Sequence, residues 1–516
     1  MLENLINKLL NHYKNIIGNE KKEILLISIK KILKDYSHIE NPEMINPDDF
    51  QFLTSNLEEK TNKRKKMGVY YTPVDLCTFM IKKMIDNDEE ILEKTVFEPT
   101  CGNSEFLLSY FDYVYNKNFL KSDIKLINFI EKIYGNDINL DAIVISKLRL
   151  LFKVFEKLEN KNLILEVADI LNKNFSNLDA IDELHRLNQR YDYIVGNPPY
   201  VETSKYPKNI EENFGNIYAN ILKNSLLMLK ENGKLCFVIP ISYVSTIRMK
   251  KIRDFVFETT KKQIVYNFSD RPDSLFSSVH QKLTILIAEK SDYMTEEPKI
   301  YSSSYTYWYK SERESMFNSL EVTEVEKMDS FIPKLGNEIE KNIFKKVFST
   351  KKNDILYDRL LSETGDSLYL NMRCTFWMKC FMNGAKSKEY KEFKLNSDLE
   401  YIYCLLNSSL FFWYWTVISD CWHITNKEFK SFRFLTTNNK ELAVLLAEKL
   451  EKKLEKTKKF IGSKQVEYEY KHKECKDIID EIDEFIGKIY SLTSEEIKYI
   501  KNFNERYRMS KGEENV

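Results

Sequence analysis

Across residues 61–292, short apolar runs alternate with longer stretches in which apolar residues recur every three or four positions. Val96–Phe97, Ile133–Tyr134, Leu163–Val167, Tyr193–Val195, Leu235–Ile239, Ile264–Phe268 and Leu283–Ala288 read as strands, each short, apolar and bounded by turn-forming residues. Helix-length segments separate most of them. Such alternation predicts a doubly wound, mostly parallel sheet. The last two runs leave no room for a long helix between them, which predicts an antiparallel pair at one edge.

The flanks follow a different pattern. In residues 1–60, Leu2, Leu5, Leu9 and Ile16 fall at helical spacing with Gly18 as a C-cap, and Ile24 to Leu33 repeats the pattern. Thr61 to Lys66 is a basic linker. All five tryptophans (Trp308, Trp377, Trp413, Trp415, Trp422) lie in residues 293–440, which marks a separate domain. Residues 441–516 return to helix, with Leu442, Leu446, Leu450 and Leu454 on one stripe and Ile478, Ile482, Ile486 and Ile489 on another. These stripes are expected to pack within the domain rather than form a coiled coil, and Thr493 with Glu496 forms a capping-box pattern. Tyr401 to Ser419 carries no charge and approaches the ~20 residues of a membrane span. Asn407, Ser408 and Ser409 interrupt it, and Asp420 and His423 follow, so a buried helix is the preferred reading and no membrane association is expected.

Composition narrows the picture. Basic and acidic side chains balance at 78 each, so any polyanion site is local rather than global. The eight cysteines form no CxxC pair, as expected of reduced thiols in a cytoplasmic protein. A zinc site from Cys374, Cys380, Cys421 and His423 is the alternative, but the spacing fits no common pattern, and no metal site is expected. Glu3 and Lys8 break up the leucines of the N-terminus, which therefore lacks the apolar core of a signal peptide.

The sharpest chemical signal is Asn197-Pro198-Pro199-Tyr200, directly after the strand Tyr193–Val195 and Gly196. An aromatic exocyclic amine is a poor nucleophile because its lone pair is delocalised into the ring. Two acceptors placed on its two N–H bonds favour a tetrahedral nitrogen and free the lone pair. The Asn197 side-chain oxygen is one such acceptor; the Pro198 carbonyl is the other, held by the stiffness of two prolines. Tyr200 offers a flat face on which a base can stack, and a base inside a duplex reaches it only by flipping out. A rigid turn is the alternative reading of the same four residues.

This motif resembles motif IV of the amino-group DNA methyltransferases. Glu98-Pro99-Thr100-Cys101-Gly102-Asn103-Ser104-Glu105-Phe106 is similar to that family's cofactor loop. Gly102 and Phe106 match, while Ser104 stands where a second glycine is usual and would be crowded at a positive φ. The resemblance implies that Glu98, Pro99, Cys101, Gly102 and Asn197 line a site for S-adenosyl-L-methionine. It implies that Asp137, with Ile138, takes the ribose hydroxyls. It also implies that Asp169, with Ile170, accepts from the cofactor adenine at the end of the Leu163–Val167 strand. Gly68-Val69-Tyr70-Tyr71-Thr72-Pro73 resembles motif X, so Tyr70, Tyr71 and Thr72 are expected at the methionine end. Asn216-Ile217-Tyr218 and Gly233 to Pro240 match the helix and strand after motif IV. Phe276 stands near the family's second base-stacking aromatic, with core packing as the equal alternative.

Motif X ahead of the cofactor loop, then NPPY, then a further domain resembles the gamma class of N6-adenine DNA methyltransferases, over residues 65–290. The implied fold is α/β: a Rossmann-like S-adenosylmethionine-dependent methyltransferase sheet, a C-terminal mixed α/β target-recognition domain, and helical N- and C-terminal segments. The implied partners are double-stranded DNA and, for any cutting, a separate restriction endonuclease. Lys65, Lys66, Lys427, Lys430 and Arg433 are candidate phosphate contacts, with a solvated surface as the alternative for each. An RNA or protein-glutamine methyltransferase and a non-catalytic DNA-binding subunit are the rival readings.

Overall fold

The computed structural model describes residues 19–33, 72–86, 88–208, 210, 212–276, 280–293, 296–462 and 467–509. The chain divides into two compact units. The first holds Met1–Tyr243, Arg248–Val265 and Ser274–Tyr301; the second holds Val244–Ile247, Tyr266–Asp273 and Ser302–Val516.

The first unit is built on strands β1 (Val96–Glu98), β2 (Ile133–Asn136), β3 (Phe175–Ser176), β4 (Tyr191–Gly196), β5 (Leu229–Pro240), β6 (Thr260–Phe268) and β7 (Leu283–Lys290), in the order β3-β2-β1-β4-β5-β7-β6. β1 pairs in parallel with both β2 and β4, β2 with β3, and β4 with β5. Helices Val74–Ile85, Glu105–Asn116, Leu140–Lys157 and Ile217–Leu227 are among those that accompany the sheet, each with a buried apolar stripe. The α/β expectation therefore holds. Strand order reverses between β1 and β4, and in open sheets of this kind ligands sit outside the carboxyl ends at such a switch point.

β6 and β7 are neighbours in the sheet, as expected, with β7 between β5 and β6 and antiparallel to β5. Seven of its eight residues are buried, which matches a strand covered on both faces. One expectation is corrected: the Leu163–Val167 run is not a strand. Lys161–Leu163 is a 3-10 turn, and Ile164–Asn174 is a helix that buries Ile164, Val167, Ala168, Ile170 and Leu171. Those positions follow the helical period, which wins over the local run of apolar residues. The third strand is the two-residue β3 that follows.

In the second unit, strands Asp366–Asn371, Cys380–Phe381 and Tyr390–Leu395 make a three-stranded antiparallel sheet with Asp366–Asn371 in the middle. The uncharged 401–419 run is two helices, Leu399–Asn407 and Ser409–Ile418, divided at Ser408, whose hydroxyl accepts from the Phe411 N–H. Every residue of Ser409–Ile418 is buried, so this run is core. Among the described residues no helix is long and apolar enough to cross a membrane. Leu446, Leu450 and Leu454 of helix Lys440–Thr457 and Ile478, Ile482 and Ile486 of helix Lys476–Ile489 are buried in the same unit. The Thr493–Glu496 capping box is present and opens helix Ser494–Asn502.

Candidate active site

One buried side chain knits the loops at the carboxyl ends of β1, β2 and β3. Asn136 Nδ2 donates to the Pro99 and Leu178 carbonyls at 3.0 Å each, while its Oδ1 accepts from Leu178 N at 3.0 Å and from the Ser176 hydroxyl at 2.8 Å. Asn136 is fully buried, so these bonds are made without competition from water. Beside it, a side chain on Gly135 would place its Cβ 2.3 Å from Phe175, so only glycine lets β2 and β3 close here.

The loop after β1 is held in the left-handed region twice, at Gly102 (φ 49°) and Ser104 (φ 62°). Ser104 thus occupies the strained conformation that glycine would adopt freely, with its hydroxyl buried. Open space lies where a Cβ on Gly102 would point. Asp137 clasps this loop: Oδ2 accepts Gly102 N at 2.9 Å and Oδ1 accepts Asn139 N at 2.8 Å. Burial raises the Asp137 carboxyl above its usual range, against the pull of those two N–H groups. Next to it, Ile138 is 55% exposed, an apolar side chain left uncovered. Glu98 is buried at the end of β1 with Oε2 unpartnered. Burial first, then the neighbouring Glu105 and Asp137 charges, push its carboxyl well above the ordinary range. A cationic group arriving at Oε2 would relieve that cost.

Asn197-Pro198-Pro199-Tyr200 leaves the carboxyl end of β4 against this loop. A Cβ on Gly196 would stand 3.8 Å from both Glu98 Cγ and Pro99 Cδ, so the β1 and β4 ends are in contact. Asn197 Nδ2 donates to the Thr72 hydroxyl at 3.1 Å, which joins the residue ahead of helix Val74–Ile85 to the same site. The Tyr200 hydroxyl lies 2.6 Å from Asn197 Oδ1 and 2.9 Å from the Val238 carbonyl on β5. The edge of Tyr218 meets the Tyr200 ring at 88°. Glu98, Pro99, Cys101, Gly102, Asp137, Ile138, Thr72 and Asn197 to Tyr200 are thus gathered at the carboxyl ends of neighbouring strands.

Other sequence-derived candidates stand elsewhere. Asp169 and Ile170 are mid-helix rather than at a strand end; the Asp169 carboxylate is 60% exposed and pairs with Lys31, while Ile170 is buried. Phe276 is only 2% exposed, so its ring faces protein and not an open pocket. Lys427 is engaged within the fold: its ammonium donates to the Ser245 and Ile418 carbonyls and pairs with Glu428, and its side chain is 10% exposed. Arg433 pairs with Asp354 at 3.3 Å, and Lys430 is exposed with its ammonium over the Tyr357 ring. Tyr70, Tyr71, Lys65 and Lys66 lie outside the described residues. Among the described residues, no three His, Cys, Asp or Glu side chains converge as a metal site would require.

Two residues that the sequence reading passed over belong here. Asn136 was legible only as the neighbour of Asp137. Asp179, in the loop after β3, is buried and accepts from the Tyr206 hydroxyl and the Lys208 ammonium at 2.6 Å each. Burial alone would raise its carboxyl; those two donors outweigh it and hold it below the usual range. No local pattern marks it, because β3 is too short to announce a strand end.

Residues 131–276, from β2 to the loop ahead of β7, match the family model of the Eco57I restriction-modification methylase. The chain is 25% identical over 221 residues to the Type II methyltransferase M.AccI of Acinetobacter calcoaceticus, covering 40% of this chain and 34% of that protein. It is also 25% identical over 256 residues to the Type II methyltransferase M.VspI of Vibrio sp. (strain 343), covering 46% and 54%. The match thus spans between a third and just over half of these relatives' length. In fold it resembles the Type IIL restriction-modification enzyme MmeI, solved in complex with DNA, with a TM-score of 0.51 at 14% identity over 90% of this chain and 82% of that one. The segment that carries Asp137 and the NPPY loop is thus similar to restriction-modification methylases.

Proposed function

We propose that this protein transfers the methyl group of S-adenosylmethionine to N6 of an adenine flipped out of double-stranded DNA, as the modification component of a restriction–modification system. One observation carries the reading: Gly196, the residue directly ahead of the NPPY loop at the end of β4, stands against Glu98 and Pro99 at the end of β1. A donor held over the β1 and β2 ends and an amine held at Asn197 would share one crevice. The relatives named as Type II methyltransferases, and the DNA complex of the fold neighbour, support it.

The residues present fit the cofactor. Gly102 opens onto free space, Ile138 offers an uncovered apolar face to a planar base, Asp137 has lone pairs for hydroxyl donors, and the buried Glu98 Oε2 lacks a donor. When bound, S-adenosylmethionine supplies an electrophilic methyl group. Asn197 Oδ1 and the Pro198 carbonyl accept the two N–H bonds of the target amine and turn its lone pair toward that methyl. Tyr200 stacks on the extruded base, which costs a few kcal/mol to unstack and needs such a platform. Pro198 is buried and Pro199 half-buried, so the acceptor carbonyl is held rather than wandering. Residues of the second unit read the DNA sequence, and cutting falls to a separate chain.

The experiment is single-turnover transfer of labelled methyl to unmethylated genomic DNA by the full chain and by Asn197→Ala. The wild type is expected to label adenine N6 and the variant to fail while still binding cofactor. Label on RNA or on protein glutamine instead would replace this reading with its rival.

A further inference from the structure

We propose that Ser146 and Arg149 of helix Leu140–Lys157 are positioning residues for the cofactor, holding the loop after β1 in a left-handed turn that Ser104 by itself disfavours. This rests on the reading of that loop as part of the S-adenosylmethionine site.

A loop that a ligand approaches closely has to keep its backbone in one shape. At Ser104 the chain turns through φ 62° and ψ 36° and enters helix Glu105–Asn116, with no capping bond from the Ser104 side chain. In this region a Cβ crowds the neighbouring backbone, so every residue with a side chain is biased to leave it, whereas glycine is not. Gly102, at φ 49°, escapes that cost. Residue 104 is therefore the weak point of the loop, and a restraint from outside the loop has to oppose its relaxation.

Helix Leu140–Lys157 supplies that restraint. Arg149 Nη1 donates to the Asn103 carbonyl at 2.5 Å and pairs with the Glu105 carboxylate. It joins the residue before Ser104 to the residue after it, a staple across the left-handed position. The Arg149 and Glu105 side chains are only 14% and 7% exposed, so water and salt screen this pair far less than a surface pair. About one turn earlier on the same helix face, the buried Ser146 hydroxyl donates to the Gly102 carbonyl at 2.8 Å. With Asp137 accepting the Gly102 N–H, Gly102 is held by both of its backbone polar groups. The staple and the serine belong together: glycine at 104 would take the turn unaided, and Arg149 would then add little.

The test measures S-adenosylmethionine affinity of the full chain by calorimetry, without DNA, with urea unfolding alongside. Arg149→Met is made in the wild-type and Ser104→Gly backgrounds, and Ser146→Ala in the wild type. Arg149→Met leaves a buried carboxylate unpaired, which by itself destabilises a fold, so Arg149→Met combined with Glu105→Gln is measured beside it. Losing a charge-assisted bond to the loop is expected to weaken affinity about tenfold in both Arg149 variants, and losing the Ser146 bond about fivefold. In the Ser104→Gly background, adding Arg149→Met is expected to cost no more than about twofold. A purely structural arginine would lower stability alike in both backgrounds and leave the affinity of the folded protein unchanged. Equal losses of affinity in the two backgrounds, or wild-type affinity in both Arg149 variants, would overturn the proposal. A wild type that takes up no S-adenosylmethionine would instead remove the reading on which it rests.

Discussion

Asp137 accepts the backbone N–H of Gly102 at 2.9 Å, which makes the loops after β1 and β2 a single body. Removing the carboxylate therefore does two things: it deletes an acceptor for a ligand hydroxyl, and it releases the one loop that must approach the ligand closely. Asp137→Ala is expected to weaken S-adenosylmethionine binding by about 1–3 kcal/mol, measured by calorimetry. Unchanged affinity would mean the cofactor lies elsewhere.

A pH dependence follows from the same residue. Burial raises the Asp137 carboxyl above its ordinary range, and only the ionised form accepts from two hydroxyls. Cofactor affinity is expected to fall as pH drops through that raised value, at a higher pH than an exposed aspartate would show. Asp137→Asn should bind more weakly and lose this dependence. A titration that stays identical in the variant would assign the pH effect to another group.

Asp169 provides the contrast. Its carboxylate pairs with Lys31 at a surface where the two side chains are 60% and 38% exposed. Such pairs contribute about 0–1 kcal/mol. Asp169→Ala is expected to leave cofactor affinity unchanged and stability lower by no more than that, by calorimetry and urea unfolding respectively.

Lys427 and Lys430 should separate in the same way. Lys427→Ala strands the Ser245 and Ile418 carbonyls and the buried Glu428, so it is expected to cost about 1–3 kcal/mol of stability with no change in the salt dependence of DNA binding. Lys430 is exposed, and Lys430→Ala should lower the salt slope of DNA binding by about one. Denaturant unfolding and salt-titrated DNA affinity measure both.

What was legible in the chain follows from burial. β1, β4 and the second half of β5 are largely buried and show the short apolar runs Val96–Phe97, Tyr193–Val195 and Leu235–Ile239, so the NPPY loop could be assigned to a strand end without the structure. The segment from Leu163 to Leu171 satisfies a short strand run and a helical stripe at once, and only packing decides between them. That ambiguity misplaced the third strand, which is why Asp169 lies within a helix and not at a strand end. Asp179, 27 and 29 positions from its partners Tyr206 and Lys208, carries no local pattern. The Thr72–Asn197 bond joins residues too distant in sequence for any periodicity to reveal.

The resemblance leaves any cutting, with the gathered carboxylates that a metal-dependent nuclease needs, to a separate restriction endonuclease. Purified protein incubated with unmethylated plasmid and Mg²⁺ is expected to leave it intact with or without S-adenosylmethionine. Discrete protein-dependent fragments would reveal a second active site.

The central claim is tested most directly by the chemical identity of the product. Unmethylated double-stranded DNA is incubated with the full chain and isotope-labelled S-adenosylmethionine, digested to nucleosides and resolved by mass spectrometry. The account requires labelled N6-methyldeoxyadenosine, absent with Asn197→Ala. Label in N4-methyldeoxycytidine, or DNA without label from a protein that binds the cofactor, would contradict it.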